Sequence, residues 1–180
     1  MGKFSTVSTG IDGLIVIEPL IFGDDRGYFM ETWNFREFKA IGLDMCFVQD
    51  NQSKSKQGVL RGLHYQKTKP QGKLVRVLTG EVFDVAVDIR EKSASFGKWF
   101  GILLNGENKK QLYIPGGFAH GFLVMSDTAV FSYKCTDYYE PTDEGGIIWN
   151  DPDIGIEWPI LGINLILSEK DQRHPGFSSI

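Results

Sequence analysis

The chain has 180 residues, enough for one domain with a real core and too few for two ordinary ones. It is 42% hydrophobic and 23% charged, a globular composition, and its net charge of −4 argues against a general nucleic-acid binder, which needs a basic surface. No apolar run is long enough to span a membrane and no signal-peptide pattern opens the chain, so a cytoplasmic protein is expected.

With 13 Phe and 21 Gly among few long charged runs, sheet is favoured over helix. Gly13 to Leu20 reads as a strand stopped by Pro19, and Gly23-Asp-Asp-Arg-Gly27 as a turn into an aromatic strand, Tyr28 to Trp33. Asn34 is placed to cap a short helix, Phe35 to Ile41, ended by Gly42. Strands then dominate: Phe47 to Gln52, Val59 to Tyr65, Lys73 to Leu78 and Glu81 to Ile89, the last apolar enough to be buried. Phe96 to Leu104 and Lys110 to Ile114 follow, with Asn105-Gly106 between them as a hairpin signal. Pro115-Gly-Gly117 makes a tight turn, and Ala119 to Met125 and Ala129 to Thr136 complete the run. Short strands at regular spacing predict a β-sandwich or barrel rather than a βαβ fold. The C-terminal part is looser, with one helical turn expected over Ser168 to Arg173 before Pro175. No linker or shift in composition marks a second domain, so residues 1–180 read as one.

Cys46 and Cys135 both lie among apolar or aromatic residues and are expected to be buried free thiols; neither has the spacing of a zinc site. Met1-Gly-Lys-Phe-Ser-Thr and Asn51-Gln-Ser53 fit myristoylation and glycosylation patterns, which short sequences meet by chance. There is no GxGxxG and no P-loop, so no redox or nucleotide-hydrolysing cofactor is signalled.

Two segments carry chemistry. Gly58-Val-Leu-Arg61-Gly-Leu-His64-Tyr-Gln66 with Lys73 and Gly80, and Pro115-Gly-Gly-Phe-Ala-His120, resemble the two motifs of the cupin barrel. Metal-binding cupins offer His-x-His, a Glu and a further His to a divalent ion. Here Gln66 replaces the second His and Lys73 the Glu; an amide is a weak ligand and an ammonium repels a cation. The same residues suit proton removal beside a carbonyl, where His64 is a base with a near-neutral pKa and Lys73 or Arg61 stabilises the enolate oxygen. Tyr133 is positioned on its strand to return a proton on the other face. Arg61 and His64 are three apart and face opposite ways on a regular strand, so Gly62 must bend it. Asp84 and Asp88 are each either a surface charge or a partner for a pocket histidine.

Taken together, these segments and others resemble dTDP-4-dehydrorhamnose 3,5-epimerases. The match runs from Phe22-Gly-Asp-Asp-Arg26-Gly-Tyr-Phe29-Met-Glu31 and Val48-Gln49-Asp-Asn51-Gln-Ser through Tyr133-Lys-Cys-Thr-Asp-Tyr138 and Glu144-Gly-Gly to Leu167-Ser-Glu-Lys170-Asp171. The resemblance implies an all-β, cupin-type β-barrel (jelly roll) with a few short helices, dimeric and free of metal and other cofactors. It implies a dTDP-sugar substrate inverted at C3 and C5 beside a C4 ketone; a single-site epimerase or 3,4-ketoisomerase on the same sugar stays open as the alternative. By motif position it implies His64 as proton acceptor, Tyr133 as donor, Asp171 as the carboxylate paired with the base and Lys73 beside the carbonyl oxygen. Arg26, Glu31, Gln49, Asn51, Arg61, His120, Glu144 and Lys170 match nucleotide or sugar contacts, and Phe29 and Tyr138 are candidates for stacking near the thymine. The segment around Arg26 to Phe29 is expected to reach into the partner subunit's site.

Overall fold

Period-2 alternation along the strands sorts the apolar side chains into three layers. The computed structural model describes residues 2–180; Met1, where the myristoylation pattern begins, lies outside them. The elements are β1 (Phe4–Ser8), β2 (Ile15–Pro19), β3 (Ile21–Asp24), β4 (Gly27–Met30), α1 (Phe35–Ala40), β5 (Gln49–Lys56), β6 (Leu60–Gln66) and β7 (Lys73–Thr79). After them come β8 (Glu81–Asp88), β9 (Trp99–Asn105), β10 (Gln111–Ile114), β11 (Phe118–Val124), β12 (Thr128–Cys135) and β13 (Glu144–Gly146). One sheet has the order β1-β2-β10-β7-β12-β5, a second β13-β6-β11-β8-β9, and β3-β4 stand apart as a hairpin. The architecture is the expected all-β cupin-type jelly roll, with the barrel built as two facing antiparallel sheets. Among the described residues, no helix is long and apolar enough to cross a membrane.

The first layer lies between the sheets and takes the inward residues of both, among them Val75, Val77, Val82, Ala86, Phe122 and Phe131. The second covers the outer face of the five-stranded sheet, where Val85, Val87 and Leu123 meet Ile147, Ile154 and Trp158 of the C-terminal segment. That segment has little regular structure of its own and is ordered by side chains. The Asp151 carboxylate accepts from the Asp153, Ile154 and Phe177 amides, and Trp158 Nε1 donates to the Trp149 carbonyl at 2.8 Å. In the third layer Ile17 and Leu74 of the other sheet meet Phe38 and Leu43. At six residues α1 is too short to persist alone. Its Asn34 cap accepts from the Arg36 and Glu37 amides, as the sequence predicts, and burial of Phe38 adds about 2–3 kcal/mol.

Two expectations need correction. Asn105-Gly106 turns the chain, yet β9 and β10 do not pair, because β9 joins β8 while β10 inserts between β2 and β7. The Asn105 side chain accepts from the Glu107 and Asn108 amides at 3.0 and 2.6 Å, which makes a longer Asx-type turn that carries the chain from one sheet to the other. Cys46 is exposed, whereas Cys135 is buried. Leu43, Met45 and Phe47 point inward along an extended segment, so Asp44, Cys46 and Val48 alternate outward.

One irregularity shapes the interior. In the β6–β11 ladder His120 faces His64 and Phe122 faces Arg61, two steps against three, so β6 carries one extra residue. That bulge turns both Arg61 and His64 to the inner face. Gly62 occupies it with φ of +123°, and a Cβ there would lie 2.5 Å from Gly121 Cα and 2.8 Å from the His120 carbonyl oxygen. Gly62→Ala is therefore expected to cost about 3 kcal/mol or more by urea denaturation. Gly10→Ala, at a φ of +82° with open space around it, should cost only about 1 kcal/mol. Equal costs at the two positions would count against the bulge as a steric requirement.

Candidate active site

The inward rows of the strands change from apolar to polar along their length. On β12 Ala129 and Phe131 belong to the core, and Tyr133 and Cys135, two and four residues on, line a cleft. On β7 Val77 and Val75 give way to Lys73. Gln49 and Asn51 of β5, Arg61, His64 and Gln66 of β6 and His120 of β11 complete the walls. The cleft has two lobes of about 280 and 300 Å³, joined at Asn51, His64, Lys73 and Tyr133. His64 stands on one sheet, and Tyr133 and Lys73 on the other.

His64 Nε2 lies 2.5 Å from Asp171 Oδ1. Asp171 sits in the helical turn predicted near the C-terminus, closed by the Gln172 amide on the Ser168 carbonyl, and the Ser168 hydroxyl donates to its other oxygen at 2.7 Å. Burial works against its charge. Hydrogen bonds from His64, Ser168 and the Gly62 backbone nevertheless hold the carboxyl down at about 2. The carboxylate thus fixes the ring orientation, keeps a proton on Nε2 and leaves Nδ1 as the basic nitrogen.

Burial pushes the Tyr133 phenol up, Cys135 and Glu144 add to that, and Arg61 opposes it; the hydroxyl stays protonated at neutral pH. Burial pulls Lys73 down, against Cys135, Asp84 and Glu144, which favour its charge. Asp84, fully buried, holds His120 Nε2 at 2.9 and 3.1 Å, so it is the histidine partner. Asp88 is neither surface charge nor histidine partner, because it is buried against Arg90, Ser93 and Ser95.

At the cupin ligand positions, Gln66 donates to the Lys69 and Tyr138 carbonyls and accepts from the Glu140 amide, which uses up its amide on the neighbouring loop. With Lys73 opposite, that donor set does not fit a cation. Glu144 takes an ion pair from Lys170 and a 2.6 Å hydrogen bond from Tyr139 at the cleft rim. That bond to Glu144 is the main reason the Tyr139 phenol is pushed up to about 12. Among the described residues Arg61 meets only the Ser55 hydroxyl, at 3.3–3.4 Å, which leaves its guanidinium to face an anion.

Some expected residues lie elsewhere. Arg26 and Phe29 are exposed on the β3–β4 hairpin and do not line the His64 cleft of their own chain. Glu31, just beyond β4, pairs with Lys3 and accepts from Asn34. Tyr138 points outward at 65% exposure, while its neighbour Tyr139 lines the cleft. His174 was not anticipated: its ring lies edge-to-face on His64 with centroids 5.4 Å apart. The signal was its spacing, since a residue three after Asp171 on a helical turn shares its face.

The comparisons with known proteins agree with one another. A family model described as dTDP-4-dehydrorhamnose 3,5-epimerase matches residues 8–179. The chain is 55% identical over 174 residues to a dTDP-4-dehydrorhamnose 3,5-epimerase of Methanothermobacter thermautotrophicus, covering 96% of this chain and 94% of that one. A crystal structure of such an epimerase from Elizabethkingia anophelis superimposes with a TM-score of 0.94 at 52% identity, covering 98% of each chain. A dTDP-6-deoxy-D-glucose-3,5-epimerase from Legionella pneumophila, solved in complex with dTDP-4-keto-L-rhamnose, gives a TM-score of 0.94 at 51% identity over 98% of this chain and 94% of that one.

The depressed Asp171 pKa has a measurable sign. Its folded value of about 2 lies below the ordinary 3.8, so its contribution is fully present above pH ~4 and lost as pH falls through 2. Wild type should lose about 2 kcal/mol more than Asp171→Asn between pH ~4 and ~2 in urea melts. Parallel curves for the two proteins would contradict the assignment.

Proposed function

The chain belongs to the dTDP-4-dehydrorhamnose 3,5-epimerase family, and on that premise we propose how its cleft works. The protein is an isomerase that inverts C3 and C5 of dTDP-4-dehydro-6-deoxy-D-glucose to give dTDP-4-dehydro-L-rhamnose, in dTDP-L-rhamnose biosynthesis. The observation that carries the residue assignment is the 2.5 Å His64–Asp171 contact on one wall, with Tyr133 and Lys73 on the other.

The C4 ketone acidifies both C3–H and C5–H, so one base serves two carbons in turn. His64 Nδ1 takes the proton, and the Asp171 carboxylate stabilises the imidazolium that forms. Negative charge then appears on the C4 oxygen, where the Lys73 ammonium meets it. Tyr133 returns a proton to the opposite face of the carbon, completing inversion. His64 then releases its proton to solvent and Tyr133 regains one. His120, held by Asp84, and Gln49 and Asn51 on β5 supply fixed polar contacts to the sugar. Arg61 and Lys170 face the diphosphate, with Glu144 setting the position of Lys170.

The nucleotide end of the site needs a second copy of the chain. The hairpin carries Ile21, Phe22, Tyr28 and Phe29 exposed on four-residue strands, and a two-stranded ribbon of that kind is not stable by itself in water. In a two-fold dimer it extends over the partner's cleft, bringing Arg26 and Glu31 to the nucleotide and Phe29, with Tyr138, to the thymine. A cytoplasmic location goes with this reading, since nucleotide sugars are made and used there.

Solvent-deuterium uptake into the substrate, followed by NMR, tests the roles. Wild type should exchange at both C3 and C5, His64→Ala at neither, and Tyr133→Phe should exchange at C5 while failing to invert it. Lys73→Ala should lower kcat by about 10²–10³-fold with little change in nucleotide affinity. Uptake that persists in His64→Ala removes it as the base, and exchange at one carbon only in wild type indicates a single-site epimerase.

Mixing tests the dimer. His64→Ala and Arg26→Ala chains, each inactive, should regain activity when refolded together, because one mixed site is then intact. No recovery in verified mixed dimers would place each hairpin on its own chain's site.

A further inference from the structure

Asp171 is faced by two imidazoles. His64 Nε2 meets Oδ1 at 2.5 Å, and His174 Nε2 lies 3.7 Å from the same oxygen, too far for a hydrogen bond. The His174 side chain is only 9% exposed, and its Nε2 is buried with no hydrogen-bond partner among the described residues. Such an atom is costly to leave unpaired, so its presence beside a carboxylate and a second imidazole calls for an explanation. The ring is held there by Gly146, where a Cβ would lie 2.3 Å from it. One donor atom from each of His64, Asp171 and His174 falls within 4.8 Å of the others.

Two imidazole nitrogens and one carboxylate oxygen are the donor set of a divalent first-row transition ion such as Zn²⁺. An ion with metal–ligand bonds of about 2.0–2.2 Å takes one donor atom from each of the three and leaves a fourth position for water. The side chains at the cupin ligand positions other than His64 take no part. The nearby Lys170 charge is offset by its ion pair with Glu144.

We propose that His64, Asp171 and His174 form an inhibitory binding site for a divalent transition-metal ion. This rests on His64 Nδ1 being the base. An ion on His64 Nε2 displaces the proton held there, which moves to Nδ1; the imidazole stays neutral, but the nitrogen that must accept the substrate's proton is now occupied. The ion sits behind the ring, on the Asp171 side, so it stops proton transfer without filling the sugar cleft.

The test is a titration of metal-free protein with Co²⁺, read by the visible absorption of a tetrahedral site and by calorimetry, with Zn²⁺ as competitor. Wild type should bind one ion per chain. His174→Gln, and His174→Phe, which keeps the ring packing and removes both nitrogens, should bind at least about tenfold more weakly. Zn²⁺ should lower kcat with KM unchanged, and a chelator should restore it. Absence of one-to-one binding, or equal affinity in His174→Phe, overturns the site. Tight binding that leaves turnover intact overturns the inhibition, and deuterium exchange in metal-free protein reports on the base separately.

Discussion

The close crossing of β6 and β11 is the contact on which the rest of the interior depends. Two glycines, Gly62 and Gly121, meet there with no room for a side chain on either, since a Cβ on Gly121 would lie 2.6 Å from the Arg61 carbonyl oxygen. The extra residue in β6 reverses the strand's facing between Leu60 and Leu63, so both leucines pack outward while Arg61 and His64 both look in. A regular strand could turn only one of Arg61 and His64 toward the cleft.

Because β7 and β12 each serve the core at one end and the cleft at the other, core and cleft share the same strands. Phe131 stacks on Phe122 at 4.3 Å and on the His120 ring at 6.2 Å, so the same aromatic ring closes the apolar layer and forms the floor beneath a polar side chain. Asp84, carried on the otherwise apolar inner face of β8, is tolerable there because His120 accounts for both its oxygens. The outer layers on either side of the sandwich let the interior surrender part of its volume to polar groups.

Much of the sheet structure was legible because Val, Ile and Phe rows and Gly-containing turns mark it locally: β7, β8, β11 and β12 lie within a residue or two of the segments read from sequence. β1 and β13 were not, since Phe4–Ser8 has one buried residue in five and Glu144–Gly146 is two-thirds glycine. β5 was read too early in the chain because Gln49–Lys56 is polar on both faces, its inner row turned to the cleft and not to a core. Strand pairing lay beyond local reading, which is why Asn105-Gly106 suggested a hairpin where the chain changes sheets. In the cleft, the lysine at the cupin glutamate position announced an anionic site. The choice between Asp84 and Asp88 required coordinates, because both occur on the same inward row of β8. The hairpin's distance from its own chain's cleft also required them.

His64 and Asp171 are 107 residues apart in sequence, and Asp171 belongs to a segment that has almost no regular structure of its own. Bringing residues so far apart in sequence together carries a loop-closure cost, which the packing of the segment on the outer sheet offsets. The strands by themselves leave the His64 imidazole without the carboxylate that orients it. Under the proposed roles, proton transfer requires residues 147–180 to be docked over the outer sheet, so turnover reports the docking of the C-terminal segment as well as the chemistry.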